Sequence, residues 1–351
     1  MRNSFLCLFV FAVANMGAQN NMADILASIE TNNPELKAGA QIVLSQKAEV
    51  SSQNSLEDPR FEFGHLWGAD NTKDRKYDIS VSQSFDFPSL YVQRNKIGNL
   101  KRTLYDGQQA VLRQQILLQA KELCLQVIYL NRCIRLGNER QAAADELVKL
   151  YRERLTSGDA NILDVNKIEI EQLNITTSNI QRRNELAACL AQLQALNGGE
   201  PLDLAQLALT EYSDRELPAS FDDLKEQALQ SDPELQMLRQ ASQIAGKEVS
   251  LIAKAQAVAG SFTVNNKELQ TLAALQSSYN EAVALKDNRE RYELLTRQNN
   301  FELLQKALAS GKISMVEYLV DATQLYEAFE NKLSLEYEYQ LRLARMYKFE
   351  L

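Results

Sequence analysis

The chain has 351 residues, with 38 Lys and Arg against 46 Asp and Glu, a net charge of −8 and a single His. The acidic balance argues against nucleic acid as a partner, because neutralising phosphates needs clustered cations. One His argues against a His-based metal site or catalytic triad, and 24 % charged residues argue against a bundle of membrane helices. With only 13 Gly and 6 Pro, the composition predicts a mainly α-helical protein with long helices.

Residues 1–18 have the pattern of a secretory signal peptide. Arg2 opens a short basic region, residues 5–14 are apolar, and the segment ends in small residues at Gly17 and Ala18. A buried N-terminal helix is the alternative interpretation. No later stretch has the 18 or so consecutive apolar residues that a membrane-spanning helix needs. The sequence therefore predicts an exported protein.

Residues 57–92 contain the part of the chain that alternates with the period of β-strands. A first segment begins at Phe61, and after a polar loop a second one alternates over residues 77–87. Its apolar members are Tyr77, Ile79, Val81, Phe85 and Phe87, and its polar members are Asp78, Ser80, Ser82, Ser84 and Asp86. A strand of this length could cross a bilayer with one face toward lipid. The alternative is a hairpin that lies on a helical core.

Long helices are predicted for most of the remaining chain. Apolar residues recur at helical spacing over about 89–156, 162–196, 267–308 and 314–347. A short turn containing Ser157-Gly158 separates the first two segments, and one containing Ser310-Gly311 separates the last two. Two helices joined by a short turn predict a long antiparallel coiled-coil hairpin. Cys124, Cys133 and Cys189 lack metal-type spacing and are predicted to pack inside helices.

The two halves of the chain repeat each other. Residues 155–158 match residues 308–311 at an offset of 153, while residues 34–36 match residues 233–235 at an offset of 199. Two separate sets of matches, each with a constant offset, favour an internal duplication over chance similarity. Because the offsets differ by 46 residues, a piece of the first half, the hairpin, has no counterpart in the second.

The order of these features resembles the TolC-type outer-membrane efflux channel family. The resemblance is carried by residues 58–63, 79–88, 151–158 and 311–322 and covers nearly all of the mature chain. It implies duplicated coiled-coil hairpins with one β-hairpin contributing to a trimeric outer-membrane barrel. The implied segments are a signal peptide at 1–18, a first-repeat helix at 19–56, the β-hairpin at 57–92, a periplasmic coiled-coil hairpin at 93–197, an equatorial segment at 198–232 and a second helical repeat at 233–351.

The resemblance also implies a function and partners. The chain would be a passive outer-membrane conduit with a periplasmic extension, assembled as a homotrimer and docked to a periplasmic adaptor and an inner-membrane pump. It implies no enzyme, cofactor or metal, and the sequence contains no Gly-rich phosphate loop, paired His or Cys ligands or nucleophile elbow.

Three groups of site residues follow from the resemblance. The adaptor docking turns would be Arg154, Leu155, Ser157, Gly158, Leu308, Ser310 and Gly311, and the acidic ring at the tip aperture would be Asp164, Glu317 and Asp321. In the hairpin, Tyr77, Ile79, Val81, Phe85 and Phe87 would face lipid, and Asp78, Ser80, Ser82, Ser84 and Asp86 would face the barrel lumen. A glycine after a helix is also an ordinary C-terminal cap, and an acid near a helix start also suits the helix dipole.

The chain departs from the family in its second half, where the expected hairpin is missing. Residues 249–255 run directly into helix, and only residues 260–264 suggest a weak extended segment. Three subunits with two strands each would supply six strands, fewer than the eight whose interior is only wide enough for side chains. Two functions therefore stay open, an efflux channel subunit and a coiled-coil scaffold that conducts nothing.

Overall fold

The structure is a computed structural model, and it describes residues 21–67, 75–202, 211–212, 215–218, 220–247, 251–296 and 300–351. The predicted signal peptide lies outside these residues. The helices are α1 (Asn21–Asn32), α2 (Pro34–Ser52), α3 (Pro88–Ser157), α4 (Ile162–Leu196), α5 (Phe221–Ser231), α6 (Pro233–Lys247), α7 (Leu251–Thr296), α8 (Asn300–Ala309) and α9 (Met315–Met346), and the strands are β1 (Arg60–Trp67) and β2 (Arg75–Ser82). The predicted mainly α-helical class with one hairpin is confirmed.

The chain divides into two compact units. The first unit comprises the described residues within Met1–Pro34, Ile116–Ala219 and Ser277–Tyr347, and the second comprises those within Glu35–Gln115, Ser220–Gln276 and Lys348–Leu351. Helix α3 has 70 residues, a length of about 105 Å at 1.5 Å per residue. Among the described helices, none has an apolar stretch long enough to cross a bilayer.

In the first unit, the helical spacing of apolar residues on α3 marks the buried face. Ile116, Leu123, Val127 and Leu130 are all buried. Cys124, Cys133 and Cys189 are buried and free, which confirms them as packing residues. Burial raises the pKa of the Cys124 thiol to about 12, so this cysteine is a poor nucleophile.

The duplication is visible where two pairs of short helices meet. Helices α2 and α6 begin at Pro34 and Pro233, 199 residues apart, since proline suits the first turn of a helix. The residues before them are Asn33 and Asp232, both buried. Asn33 donates from Nδ2 to the Leu196 carbonyl at the end of α4 (2.9 Å), and Asp232 pairs with Lys348, just after α9 (3.3 Å). Each junction is therefore tied to another segment of its own unit, by a hydrogen bond at Asn33 and by an ion pair at Asp232.

The hairpin in the second unit has one apolar and one polar face. The antiparallel register sets Phe61 opposite Val81, Phe63 opposite Ile79, and Glu62 opposite Ser80. Residues directly opposite each other point to the same side of a sheet, so the apolar pairs share one face. The alternation read from the sequence is confirmed within the strands.

Strand β2 is shorter than predicted, because it ends at Ser82 and residues 83–87 lie outside it. Ser82 pairs with Arg60, and the residue before Arg60 is Pro59, which has no N–H to continue the ladder. Ser84, Phe85, Asp86 and Phe87 instead lead into α3. The carboxylate of Asp86 pairs with Arg94 of that helix at 2.7 Å.

The second half has no hairpin among its described residues. Helix α6 ends at Lys247 and α7 begins at Leu251, so the three residues between them leave no room for two strands and a loop. The expected extended segment at 260–264 is wrong, since it lies inside α7. Without a partner strand, an extended segment would leave its backbone groups unpaired, whereas a helix satisfies them internally.

Candidate functional site

The two Ser-Gly turns have the same hydrogen-bond pattern. Gly158 adopts a positive φ of 82°, its N–H donates to the Leu155 carbonyl (3.2 Å), and the Asp159 N–H donates to the Arg154 carbonyl (2.8 Å). Both bonds together form a Schellman cap, which needs a residue in the left-handed conformation. Nothing lies within 4 Å of a Cβ built on Gly158, so backbone conformation alone selects glycine there.

The second turn repeats this cap 153 residues later. Gly311 has a φ of 69°, its N–H donates to the Leu308 carbonyl (3.0 Å), and the Lys312 N–H donates to the Ala307 carbonyl (2.9 Å). The serines before the glycines are exposed and donate back into their own helices. Ser157 Oγ donates to the Arg154 carbonyl at 3.0 Å, and Ser310 Oγ to the Ala307 carbonyl at 3.1 Å.

Each turn is followed by a capped helix. Asn161 Oδ1 accepts from the Leu163 N–H (3.0 Å) at the start of α4. At the start of α9, Ser314 Oγ accepts from the Glu317 N–H (3.2 Å) and Glu317 Oε2 accepts from the Ser314 N–H (2.7 Å). This reciprocal pair is a capping box, which the Ser-x-x-Glu spacing could have indicated from the sequence.

The turns pack on a shared hydrophobic core, here called the tip cluster, at the ends of three helices of the first unit. Its buried members are Val148 and Tyr151 of α3, Val165 and Ile168 of α4, and Met315, Tyr318 and Ala322 of α9. Leu155 and Leu308, one from each turn, pack against it. Residues distant in sequence therefore hold both turns in one place.

A groove of about 260 Å³ lies beside the tip cluster. Its walls include Leu150 and Arg154 of α3, Gln305 and Leu308 of α8, and Tyr318 of α9. The guanidinium of Arg154 stacks on the ring of Tyr151 at 5.4 Å, which orients it at the groove edge. Two of the predicted docking residues, Arg154 and Leu308, thus line one groove, while Gln305 and Tyr318 are members that sequence reasoning missed.

The three predicted acidic residues occupy the helix starts beyond the turns. Asp164 lies half-buried in the first turn of α4, Glu317 lies exposed in the first turn of α9, and Asp321 lies exposed one turn later. The Ser314 backbone N–H, and then its hydroxyl, hold the pKa of Glu317 below its ordinary value. Glu317 therefore has a capping role within the chain.

We expect this cap to make stability depend on pH. A carboxylate whose pKa is lowered in the folded state stabilises that state above its unfolded pKa, and the contribution is lost as pH falls through the folded pKa. Glu317→Ala should therefore lower the midpoint of urea unfolding at pH 7, and the difference from the unmodified chain should shrink as pH falls below the ordinary value of 4.5. Asp321→Ala, which removes an acid outside the capping box, is the control. A difference that stays constant down to pH 2 would contradict the capping role.

The apolar face of the hairpin is open in the single chain. Phe61, Phe63, Tyr77, Ile79 and Val81 are 55–69 % exposed, as are the flanking Phe85 and Phe87 at 71 % and 74 %. The hairpin therefore does not lie with this face on the helical core. On the other face, Asp78 and Ser80 point away from the apolar residues because they lie at the alternate positions of β2.

A second set of exposed apolar side chains runs along helix α4. Ile162, Leu163, Ile170, Leu173 and Ile180 are each more than half exposed. The seven-residue steps from Leu163 to Ile170 and from Leu173 to Ile180 are the spacing of a coiled-coil seam. Sequence periodicity alone did not separate this stripe from the buried face.

Solved outer-membrane channels have the same fold as this chain. VceC, an outer membrane protein of Vibrio cholerae, matches 93 % of this chain and 95 % of its own with a TM-score of 0.74 and 11 % identity. The MtrE outer membrane channel of Neisseria gonorrhoeae, in its open state, matches 95 % and 89 % with a TM-score of 0.68 and 12 % identity. The CmeC outer membrane channel of Campylobacter jejuni matches 94 % and 85 % with a TM-score of 0.68 and 11 % identity.

These likenesses confirm the TolC-type fold that the order of sequence features predicted. No family model matches the chain, and no curated protein matches it in sequence. At 11–12 % identity, the similarity concerns the fold.

Proposed function

We propose that the chain is the subunit of an outer-membrane efflux channel, a passive conduit that works with a periplasmic adaptor and an inner-membrane pump. The observation that carries this proposal is the exposed apolar face of the hairpin in a chain with the fold of outer-membrane channels. A contiguous set of large exposed apolar side chains marks a surface that another apolar phase covers. Lipid is the phase that suits a hairpin with alternating apolar and polar faces.

The proposal assigns roles to the two faces. Tyr77, Ile79 and Val81 would contact lipid together with Phe85 and Phe87, which extend the apolar set beyond the strand. Asp78, Ser80 and Ser82 would line the lumen with Ser84 and Asp86. Residues 1–18 would direct export and be removed.

Assembly as a homotrimer is part of the proposal. The exposed stripe on α4 supports it, because a seam of apolar residues on one helix is normally covered by another helix. Each copy would bring one hairpin, since the described residues of the second half contain no strand. Three copies would supply six strands, fewer than a side-chain-filled barrel of eight, so conduction is the part of the proposal that planar-bilayer recording decides.

The tip would supply docking and selectivity. The groove beside the tip cluster, with an apolar floor and the Arg154 guanidinium at its edge, would accept a helical hairpin of the adaptor. Copies of Asp164, Glu317 and Asp321 around a narrow aperture would favour cations and repel anions.

Membrane fractionation tests the location and the assembly. The full chain, produced with its own leader in a bacterium with two membranes, should fractionate with the outer membrane and cross-link as a trimer. Recovery as a periplasmic monomer would overturn the proposal. Planar-bilayer recording of the purified trimer should then give reproducible single-channel steps, whereas a trimer without steps would favour the non-conducting scaffold.

Docking is tested by cysteine cross-linking in the native host. An introduced thiol at Lys312→Cys, beside the second turn, should trap a periplasmic adaptor, while Glu226→Cys on α5 is the matched control and should trap none. The native cysteines interfere little, because burial raises the pKa of Cys124, Cys133 and Cys189. Equal trapping from both positions would contradict docking at the tip.

A further inference from the structure

A cavity of about 220 Å³ lies in the second unit, between the end of α2 and the first turns of α3. One side is lined by Val50 of α2 and by Gln53 and Asn54 just after that helix, and the other by Arg94, Gly98 and Lys101 of α3. Since a water molecule takes about 30 Å³ in the liquid, the cavity has room for a group of several heavy atoms. It is smaller than the sites of drug-sized ligands, which start at about 300 Å³.

The start of α3 is basic, although the whole chain has a net charge of −8. Residues 87–105 contain four cations and no carboxylate, and these cations are Arg94, Lys96, Lys101 and Arg102. Arg94 and Lys101 line the cavity, and no described lining residue is a carboxylate. A concave surface with one sign of charge attracts ions of the opposite sign, so this cavity favours anions.

Arg94 connects the cavity to the exposed apolar set of the hairpin. Its guanidinium pairs with Asp86 at 2.7 Å and lies 5.9 Å from the centre of the Tyr91 ring. Asp86 lies between Phe85 and Phe87, whose side chains are 71 % and 74 % exposed. One wall of the cavity therefore contacts the segment that carries these exposed aromatic side chains.

Lys101 supplies the positive charge that the chain does not compensate. Arg94 is neutralised by Asp86, whereas Lys101 is half-buried and has no ion pair or hydrogen bond within the described residues. A half-buried ammonium group loses part of its hydration, so an anion in the cavity would stabilise it. The Cα–Cβ bonds of a helix tilt toward its N-terminus, so the Lys101 side chain starts toward the hairpin end of α3.

We propose that this cavity binds the phosphate headgroup of an anionic phospholipid, an inference that rests on the proposed contact between the hairpin and lipid. A phospholipid carries both an anion and apolar chains, so it matches a basic cavity that adjoins an exposed apolar surface. Free phosphate would compensate Lys101 but would leave Phe85 and Phe87 uncovered. Clusters of Lys and Arg beside a membrane segment recognise anionic lipids through the same attraction.

Native mass spectrometry of the purified full chain in a neutral detergent tests this site, with phosphatidylglycerol as the probe lipid. A neutral micelle has no charged surface, so a retained lipid reports a specific site and not a general attraction to a membrane. The expected result is saturable retention of one phosphatidylglycerol per chain, with weaker retention of phosphatidylcholine, whose choline cation offsets its phosphate. Lys101→Gln should weaken retention by about tenfold or more, since it removes a hydrogen bond between charged groups.

Two matched variants separate the cavity from its surroundings. Lys101→Arg keeps the charge and should retain the lipid. Lys96→Gln removes an exposed cation of the same helix outside the cavity and should change nothing. Equal weakening by Lys96→Gln and Lys101→Gln, or equal retention of the two lipids, would overturn the proposal.

Inorganic phosphate tests the source of the anion. At constant ionic strength, an excess of inorganic phosphate should leave the lipid bound, whereas displacement of the lipid would assign the cavity to free phosphate and overturn the lipid assignment. A chain that reaches the outer membrane as a trimer but retains no phosphatidylglycerol would overturn this site and leave the channel proposal standing. Recovery of the chain as a periplasmic monomer would overturn both.

Discussion

Replacement of Gly137 by alanine should destabilise the first unit by about 1–3 kcal/mol, the usual cost of overpacking, although alanine is the better helix former. A Cβ built on Gly137 of α3 would lie 1.9 Å from Oδ1 and 2.9 Å from Cγ of Asn179 on α4. Asn179 is buried, with 7 % of its surface exposed, so its amide has little space to rotate away. The missing side chain at Gly137 is therefore what allows α3 and α4 to approach at this point.

A double-mutant cycle tests this contact. Oδ1 of Asn179 has no hydrogen-bond partner among the described residues, so Asn179→Ala should be nearly neutral by itself. The double variant, with alanine at both positions, should recover most of the stability lost in Gly137→Ala, with a coupling of about 0.5–3 kcal/mol in urea unfolding. A Gly137→Ala variant as stable as the unmodified chain, or a double variant with purely additive effects, would contradict the packing described.

Much of the fold could be predicted because its signals are local and periodic. The spacing of Ile116, Leu123, Val127 and Leu130 marks one helix face, and a glycine after a helical run marks its cap, as at Gly158. The repeat of the Ser-Gly turn at Gly311 indicated the duplication, and the two offsets predicted that the second half has no hairpin, as its described residues show. In each case a few neighbouring residues determine the outcome.

Other features depend on contacts that sequence spacing does not contain. Strand β2 ends at Ser82, where its partner Arg60 is preceded by Pro59 just outside β1, while the alternation itself continues to Phe87. The tip groove joins Arg154 and Gln305, which are about 150 residues apart in sequence.

The sequence also carries a signal for a structural role of Glu317. Ser314-x-x-Glu317 has the spacing of a capping box, so this spacing predicts a capping role for Glu317 besides its proposed place in the acidic ring. The two roles are compatible, because a carboxylate that accepts from the Ser314 N–H keeps a negative charge at the exposed start of α9.

Replacement of Ile168 by alanine should have the largest effect at the tip, with a loss of about 2–5 kcal/mol, the range for truncating a fully buried branched side chain. Ile168 is 0 % exposed and belongs to the tip cluster, to which α3, α4 and α9 all contribute. The resulting cavity would loosen Leu155 and Leu308 together, because both pack against the cluster. Trypsin should then cleave faster after Arg154 and Lys312, which lie in or beside the two turns, than in the unmodified chain.

Ile170→Ala is the matched control, since it makes the same truncation two residues away on the same helix. Ile170 is 59 % exposed in the single chain. Its truncation should therefore change the free energy of unfolding of the monomer by no more than about 0.5 kcal/mol. In the proposed trimer the outcomes should differ in kind, because Ile170 belongs to the exposed α4 stripe and its truncation should weaken cross-linking between copies. Ile168→Ala should leave that cross-linking intact but reduce adaptor trapping from Lys312→Cys. If Ile168→Ala and Ile170→Ala accelerated proteolysis at the tip equally, the two residues would not have the separate roles described, one in the buried tip cluster and the other on the exposed stripe of α4.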